Sequence, residues 1–168
     1  MVKCVIYAYI QNIMSNSNID PTDKRLLSAL QQNAAQTSQE LGEALNLSSS
    51  QAGRRKQRLE TDGVIRGYQA SLDPNAVGLT VQAFVQVAMS VHAADQVAGF
   101  HEMVSNTPEI TSAWTLTGEA DYLLRVYCRD LAALNHLIHD VLLMHPNVAR
   151  VKSQIVMDQY KQDAPLPL

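Results

Sequence analysis

Cysteine is almost missing from this chain: Cys4 and Cys128 are the two in 168 residues, in unrelated contexts, with no CxxC pair and no zinc-ligand spacing. That excludes a disulfide framework and fits a reducing, cytoplasmic setting. Long apolar runs are missing as well. Stretches such as Val141–Met144 fall far short of the roughly 20 residues that a membrane span needs, so no membrane partner is expected. Met1–Ile10 holds one Lys and an apolar run but no small-residue cleavage site. Residues 1–18 are therefore read as an extension, disordered or added by a misassigned start, with Met14 the alternative beginning. No P-loop, dinucleotide fingerprint or nucleophile–base arrangement occurs, which argues against an enzyme and against a bound cofactor.

What is there is globular in composition, 46% apolar and 17% charged, on a length that suits one ordinary domain or two small ones. The net charge of −3 is unevenly spread. Ser48–Ala70 holds five basic residues (Arg54, Arg55, Lys56, Arg58, Arg66) against two acidic, a local +3 that leaves −6 elsewhere. A basic segment on an acidic protein suggests a dedicated polyanion surface, although many charge runs are only solvated helix faces. Its position has to decide.

Ile19-Asp20-Pro21-Thr22-Asp23 has the chemistry of a helix start: a capping Asp, Pro in the first turn and an acid near the positive end of the helix dipole. Leu26, Leu27 and Leu30 supply the apolar stripe, and Gln31-Gln32-Asn33 lets the helix fade. Thr37 and Glu40 form a capping box for a second helix that should turn Leu41, Ala44 and Leu45 inward. Gly42 costs that helix up to ~1 kcal/mol relative to Ala, which makes sense if another helix crosses closely. Asn46 tolerates the left-handed conformation, Leu47 plugs the core, and Ser48 to Gln51 is a second capping box. Two helices joined this tightly make a helix-turn-helix.

The second helix of that pair, Ser49–Asp62, stops at Gly63. Its N-terminal residues would enter the major groove. Ser50, Gln51 and Arg54 are the expected base readers, since Gln suits adenine and Arg suits guanine. Ser48, Arg55, Lys56 and Arg58 are expected phosphate contacts. Arg55 has an equally good alternative as a brace paired with Asp20, Asp23 or Glu60. Val64–Ala70 alternates loosely around Gly67, as a short wing would, with Arg66 a further phosphate contact, and Asp73-Pro74-Asn75 is a turn. The DNA-binding domain is thus expected over residues 19–72, as a winged helix-turn-helix whose partner is double-stranded DNA.

Beyond the turn, apolar residues alternate from Val81 to Val91, a strand with one buried face. A helix follows over Asp95–Ser105, then a hairpin of Ile110–Thr117 and Asp121–Cys128, a helix over Leu131–Leu143, and a last strand Val148–Met157. The order β-α-β-β-α-β over residues 78–161 is that of a ferredoxin-like domain, making the whole chain α+β. Both helices cover one face of its sheet. The other face, with Phe84 and also Trp114 and Tyr127, needs a cover, and a two-fold homodimer is the economical one.

The chain resembles the Lrp/AsnC (leucine-responsive/asparagine, feast/famine) regulators from about Ile19 to Lys161. The likeness rests on Ile19–Leu27, on Leu47-Ser48 through Arg54-Arg55 and Arg58-Leu59-Glu60, on Gly63-Val64-Ile65 to Tyr68, and on Pro108-Glu109-Ile110 with Thr117-Gly118-Glu119 and Asp121-Tyr122-Leu123-Leu124. Lys56 departs from it, standing where an apolar residue is usual, so its stem must snorkel. The resemblance implies a transcriptional regulator built of homodimers that assemble further, often to octamers, with an amino-acid effector held between sensor domains. It places the turn Thr117-Gly118-Glu119-Ala120-Asp121 on the effector pocket. Backbone N–H groups at Gly118 could hold a carboxylate and Glu119 or Asp121 an ammonium, with Ser153 a weaker member of the same wall. A plain hairpin turn is the alternative there.

Two rivals stand beside this reading. One is an oligomerisation or effector-binding module that reads no DNA. The other is a small metal enzyme using His136-x-x-His139 and His145. These histidines lie beside the buried stripe with no carboxylate or Cys at a ligand spacing, so no metal is expected.

Overall fold

The computed structural model describes residues 19–90 and 94–168. The extension read over residues 1–18, and Val91 at the end of the expected alternation, lie outside the described residues. Two compact units emerge: the described residues up to Ala70 together with Lys161–Leu168, and Ser71–Tyr160.

The first unit holds α1 (Pro21–Gln32), α2 (Ser38–Leu45) and α3 (Ser49–Thr61). Each begins with a reciprocal capping box, Asp20 with Asp23, Thr37 with Glu40 and Ser48 with Gln51, so backbone donors that a helix N-terminus leaves orphaned are met locally. Asn46 closes α2 in the left-handed conformation, φ 57° and ψ 45°. This reverses the chain within the space of Leu47 and Ser48. Gly42 is required by that reversal, because a Cβ there would stand 2.8 Å from the Leu47 carbonyl oxygen. It is the turn and the start of α3 that crowd it, where a crossing helix was expected.

Leu26, Leu30, Leu41, Leu45, Ala52 and Leu59 form the core of this unit. Ala44 is exposed, not inward as the spacing predicts: Leu41 and Leu45, one turn apart, already fill the buried stripe of so short a helix. The wing expected over 64–70 is not formed as a strand. Val64 and Ile65 fold back on the core, and no second segment among the described residues pairs with this one.

The second unit is the expected βαββαβ. It contains β1 (Val81–Met89), α4 (Ala94–Asn106), β2 (Ile110–Thr115), β3 (Tyr122–Cys128), α5 (Leu131–His136), a π turn (Leu137–Leu142) and β4 (Val148–Ile155). The antiparallel sheet has the order β2-β3-β1-β4. Ala83, Val85, Val87 and Met89 of β1 and Tyr122, Leu124, Val126 and Cys128 of β3 are buried with Phe100, Leu134, Leu137 and Leu142 of the helices. Register pairs Phe84 with Arg125, Gln86 with Leu123 and with Lys152, and Trp114 with Leu123. Cross-strand partners share a face, so these residues belong to the sheet's other side, where Trp114 is 44% exposed.

Candidate functional site

The candidate DNA-binding surface is assembled from α3 upward. Ser48 Oγ accepts from the Gln51 backbone N–H at 3.2 Å, and Gln51 Oε1 accepts from the Ser48 N–H at 3.1 Å. Gln51 therefore spends its acceptor on the cap and keeps its amide N–H groups. Ser50 Oγ lies 3.1 Å from Ser48 Oγ. Arg54 is exposed and makes no ion pair among the described residues. Together with Asp20, Leu47, Gln51, Arg55 and Arg58 it lines a concavity of ≈ 340 Å³.

Arg55 and Arg58 face differently. Arg55 Nη1 donates to Asp20 Oδ2 at 2.6 Å and to Asp23 Oδ1 at 2.7 Å, while Arg58 Nη2 pairs with Asp23 Oδ2. The Asp23 side chain is completely buried. Burial pushes its carboxyl upward, but hydrogen bonds from Arg55, from the Asp20 backbone N–H and from Arg58 outweigh it and hold the group below the usual range. Asp20 is also lowered, first by the Asp23 backbone N–H and then by Arg55. The network ties α3 to the start of α1 and fixes how α3 projects.

Lys56, the residue that departs from the family pattern, sits with its Nζ 5.1 Å from the centroid of the Tyr68 ring, a cation–π contact. Tyr68 in turn donates its hydroxyl to Glu60 at 2.8 Å. Burial, with the Glu60 bond second, pushes the Tyr68 phenol up to about 12.

In the second unit, the turn between β2 and β3 carries Gly118 at φ +125°, a conformation that excludes side chains in practice. Glu119 and Ala120 from this turn meet Gln86 and Ala88 of β1 and Arg150, Val151 and Lys152 of β4 around a cavity of ≈ 290 Å³. Of the residues expected on an effector wall, Glu119 and Ala120 line this cavity, whereas Thr117, Gly118, Asp121 and Ser153 do not. Asp121 accepts from the Met89 N–H at 2.7 Å and donates its own N–H to the Val87 carbonyl at 2.9 Å, which holds the hairpin to β1. Thr117 is exposed beside the turn. Ser153 pairs with Val85, whose side chain is in the core under the helices, whereas Lys152 pairs with Gln86 on the opposite face. Arg150 and Lys152 were missed from the sequence. Their only signal was two cations at strand spacing on the last strand.

Two of the three histidines of the metal reading have other partners. His136 Nδ1 lies 2.7 Å from Asp140 Oδ2, and the His145 ring stands edge-on to Phe100 at 5.7 Å. No group of three His, Cys, Asp or Glu among the described residues could hold a metal ion. Nor is any helix among them long and apolar enough to cross a membrane.

Comparison with known proteins agrees with both units. The family model of the AsnC-type helix-turn-helix domain matches residues 19–60, and that of the Lrp/AsnC ligand binding domain matches residues 82–166. The DNA-binding transcriptional activator DecR of Escherichia coli (strain K12) is 34% identical over 150 residues, 89% of this chain and 99% of DecR. The crystal structure of the transcriptional regulator NMB0573 of Neisseria meningitidis in complex with L-Met superposes with a TM-score of 0.83 at 39% identity, covering 88% of this chain and 96% of that one. The feast or famine regulatory protein Rv3291c of M. tuberculosis, complexed with L-methionine, gives a TM-score of 0.77 at 30% identity over 86% of this chain and 96% of its own. With a helix-turn-helix fixed by its own caps, a ferredoxin-like domain following it in the chain and both domains matched, this chain belongs to the Lrp/AsnC family of DNA-binding transcriptional regulators.

Proposed function

We propose that this regulator senses a free amino acid through the cavity beside the Gly118 turn and works in the cytoplasm as a homodimer that assembles further, up to octamers. The observation that carries the reading is the meeting of opposite charges in one small space: Glu119 with Arg150 and Lys152 around ≈ 290 Å³. An α-amino acid carries an ammonium and a carboxylate on one carbon. Glu119 suits the first, and the two cations of β4 suit the second. The volume is at the low end for small-molecule pockets, as a ligand of amino-acid size requires. Two relatives of known structure bind L-methionine, which supports the ligand class. Asp121, Gly118 and Thr117 shape the turn around this site, and Ser153 is on the wrong face to join it directly.

On DNA, Arg54, Ser50 and the free amide N–H groups of Gln51 read base edges in the major groove, and Ser48 and Lys56 contact phosphates. Arg55 and Arg58 serve first as braces through Asp23 and add to the positive field second. In a two-fold dimer the paired helices read a near-palindromic site with half-sites about one DNA turn apart, or a multiple of it. The open sheet face carrying Phe84, Trp114 and Tyr127 supports such pairing. A thermal-shift screen of the full chain against the twenty amino acids tests the sensor, since a ligand of the native state raises its stability by mass action. At least one amino acid should raise the melting temperature in the parent and not in Glu119→Gln. If none does, the cavity is not an amino-acid site.

A further inference from the structure

The segment Lys161–Leu168 follows the sensor domain in the chain yet belongs to the DNA-binding unit. There it lies along a groove of ≈ 460 Å³ formed by Leu27 and Leu30 of α1, by Ala34 just past its end, and by Val64, Ile65 and Tyr68. Gln31 reads its backbone with both ends of one carboxamide: Oε1 accepts from the Leu166 N–H at 2.6 Å, and Nε2 donates to the Leu166 carbonyl at 3.3 Å. Leu166 and Leu168 line the same groove.

The sequence of the segment suits this seat. In Ala164-Pro165-Leu166-Pro167-Leu168 the two prolines lack an N–H, so between them Leu166 offers the one backbone donor, and that donor is the one Gln31 takes. Proline also holds its own φ and biases the preceding residue to an extended conformation. A segment stiffened in this way loses little entropy on docking, the advantage that proline-rich ligands use in shallow grooves beside an aromatic ring. Tyr68 is that ring, and it is also the residue over which Lys56 of α3 stacks and to which Glu60 of α3 is hydrogen-bonded. One side chain is therefore shared between the groove wall and the recognition helix.

We propose that this groove is a peptide-docking site whose ligand is the Pro-Leu-Pro-Leu segment of the regulator itself, held as a strap on the DNA-binding unit with Gln31 as its backbone reader. The strap runs on from β4, the strand that brings Arg150 and Lys152 to the sensor cavity. The docking does not depend on the assignments of effector or of base readers above.

The test is hydrogen exchange on the full chain, on a variant lacking residues 164–168, and on Gln31→Ala. Loss of the strap should speed exchange of the amides over Val64–Tyr68 on the order of tenfold, the worth of the two hydrogen bonds between Gln31 and Leu166. Gln31→Ala should do the same to a smaller degree. A synthetic peptide of residues 162–168 should restore protection to the shortened chain but not to a shortened chain that also carries Gln31→Ala. Exchange that is unchanged by removing residues 164–168, or a peptide that protects both shortened chains alike, would overturn the proposal. Because exchange is read without DNA or amino acid, failure here would leave the regulator reading intact.

Discussion

Replacing Asp23 with Asn keeps its shape and removes its charge from between two guanidinium groups. Breaking a fully buried ion network by deleting one partner costs about 3–5 kcal/mol. Here the cost must be discounted, because the Arg55 and Arg58 side chains are 30% and 44% exposed and Arg55 retains Asp20 at 2.6 Å. Partly solvated partners screen what the buried carboxylate contributes, which leaves about 2–3 kcal/mol once the network is discounted. For a unit of this size each kcal/mol lowers the melting temperature by about 4–8 °C, so a drop of roughly 10–20 °C is expected in the transition of the DNA-binding unit. The pH dependence has a definite sign. The Asp23 carboxyl is held below its unfolded value, so its contribution is complete above about pH 5, beyond the ordinary carboxylate value of ~3.9. It is lost as the pH falls through the depressed folded value. The gap between parent and Asp23→Asn should thus stay constant from neutral to mildly acidic solution and close in strong acid. Melting curves followed by circular dichroism would show it. A variant that melts within ~2 °C of the parent at neutral pH would mean the network behaves like an ordinary surface ion pair, and the account of how α3 is fixed would fail.

Arg54→Ala should weaken binding to the specific site by about 1–3 kcal/mol while leaving random DNA and the melting temperature nearly untouched; equal losses on both DNAs in a binding titration would remove it from the base readers. Gly42→Ala should lower stability despite the better helix propensity of Ala, since its methyl would meet the Leu47 carbonyl at 2.8 Å, with a cost of about 1–3 kcal/mol typical of overpacking. A variant that melts higher than the parent would contradict the crowding described at that turn. Asp121→Asn should weaken the hold on the Met89 N–H and cost about 1 kcal/mol whether or not amino acid is present. Chemical denaturation with and without ligand checks this, and a loss seen only with ligand would return Asp121 to the pocket wall.

The first unit was largely legible because its instructions are local. Asp20, Thr37 and Ser48 announce their helices through acceptors that reach three residues ahead, and Asn46 announces the turn by tolerating a conformation few others accept. The period-two alternation of β1 likewise sorted Ala83, Val85 and Val87 to the core, since a strand's faces are set by parity alone. What stayed hidden depends on partners far along the chain. Arg55 read equally well as phosphate contact or brace until the fold set it against Asp20 and Asp23. Arg150 and Lys152 gained meaning only from the pairing of β4 with β1, and the same pairing put Ser153 on the far side of the sheet. Lys56 looked like a misfit because the ring that receives it, Tyr68, lies beyond the end of its helix.

The π turn that follows α5 has a consequence for how the chain tolerates change in length. Leu137 and Leu142 are both buried although five positions apart, which at ordinary α-helical pitch would set them about 140° from each other around the axis. The wider loop, with the Leu143 N–H reaching back to the Ile138 carbonyl at 2.9 Å, takes up that angle and turns both leucines to the sheet. Losing one residue between them would restore a four-residue interval, only about 40° apart, and both could still reach the same surface. This stretch is thus a slack point in the second unit, where the helix carries one residue more than its pitch demands.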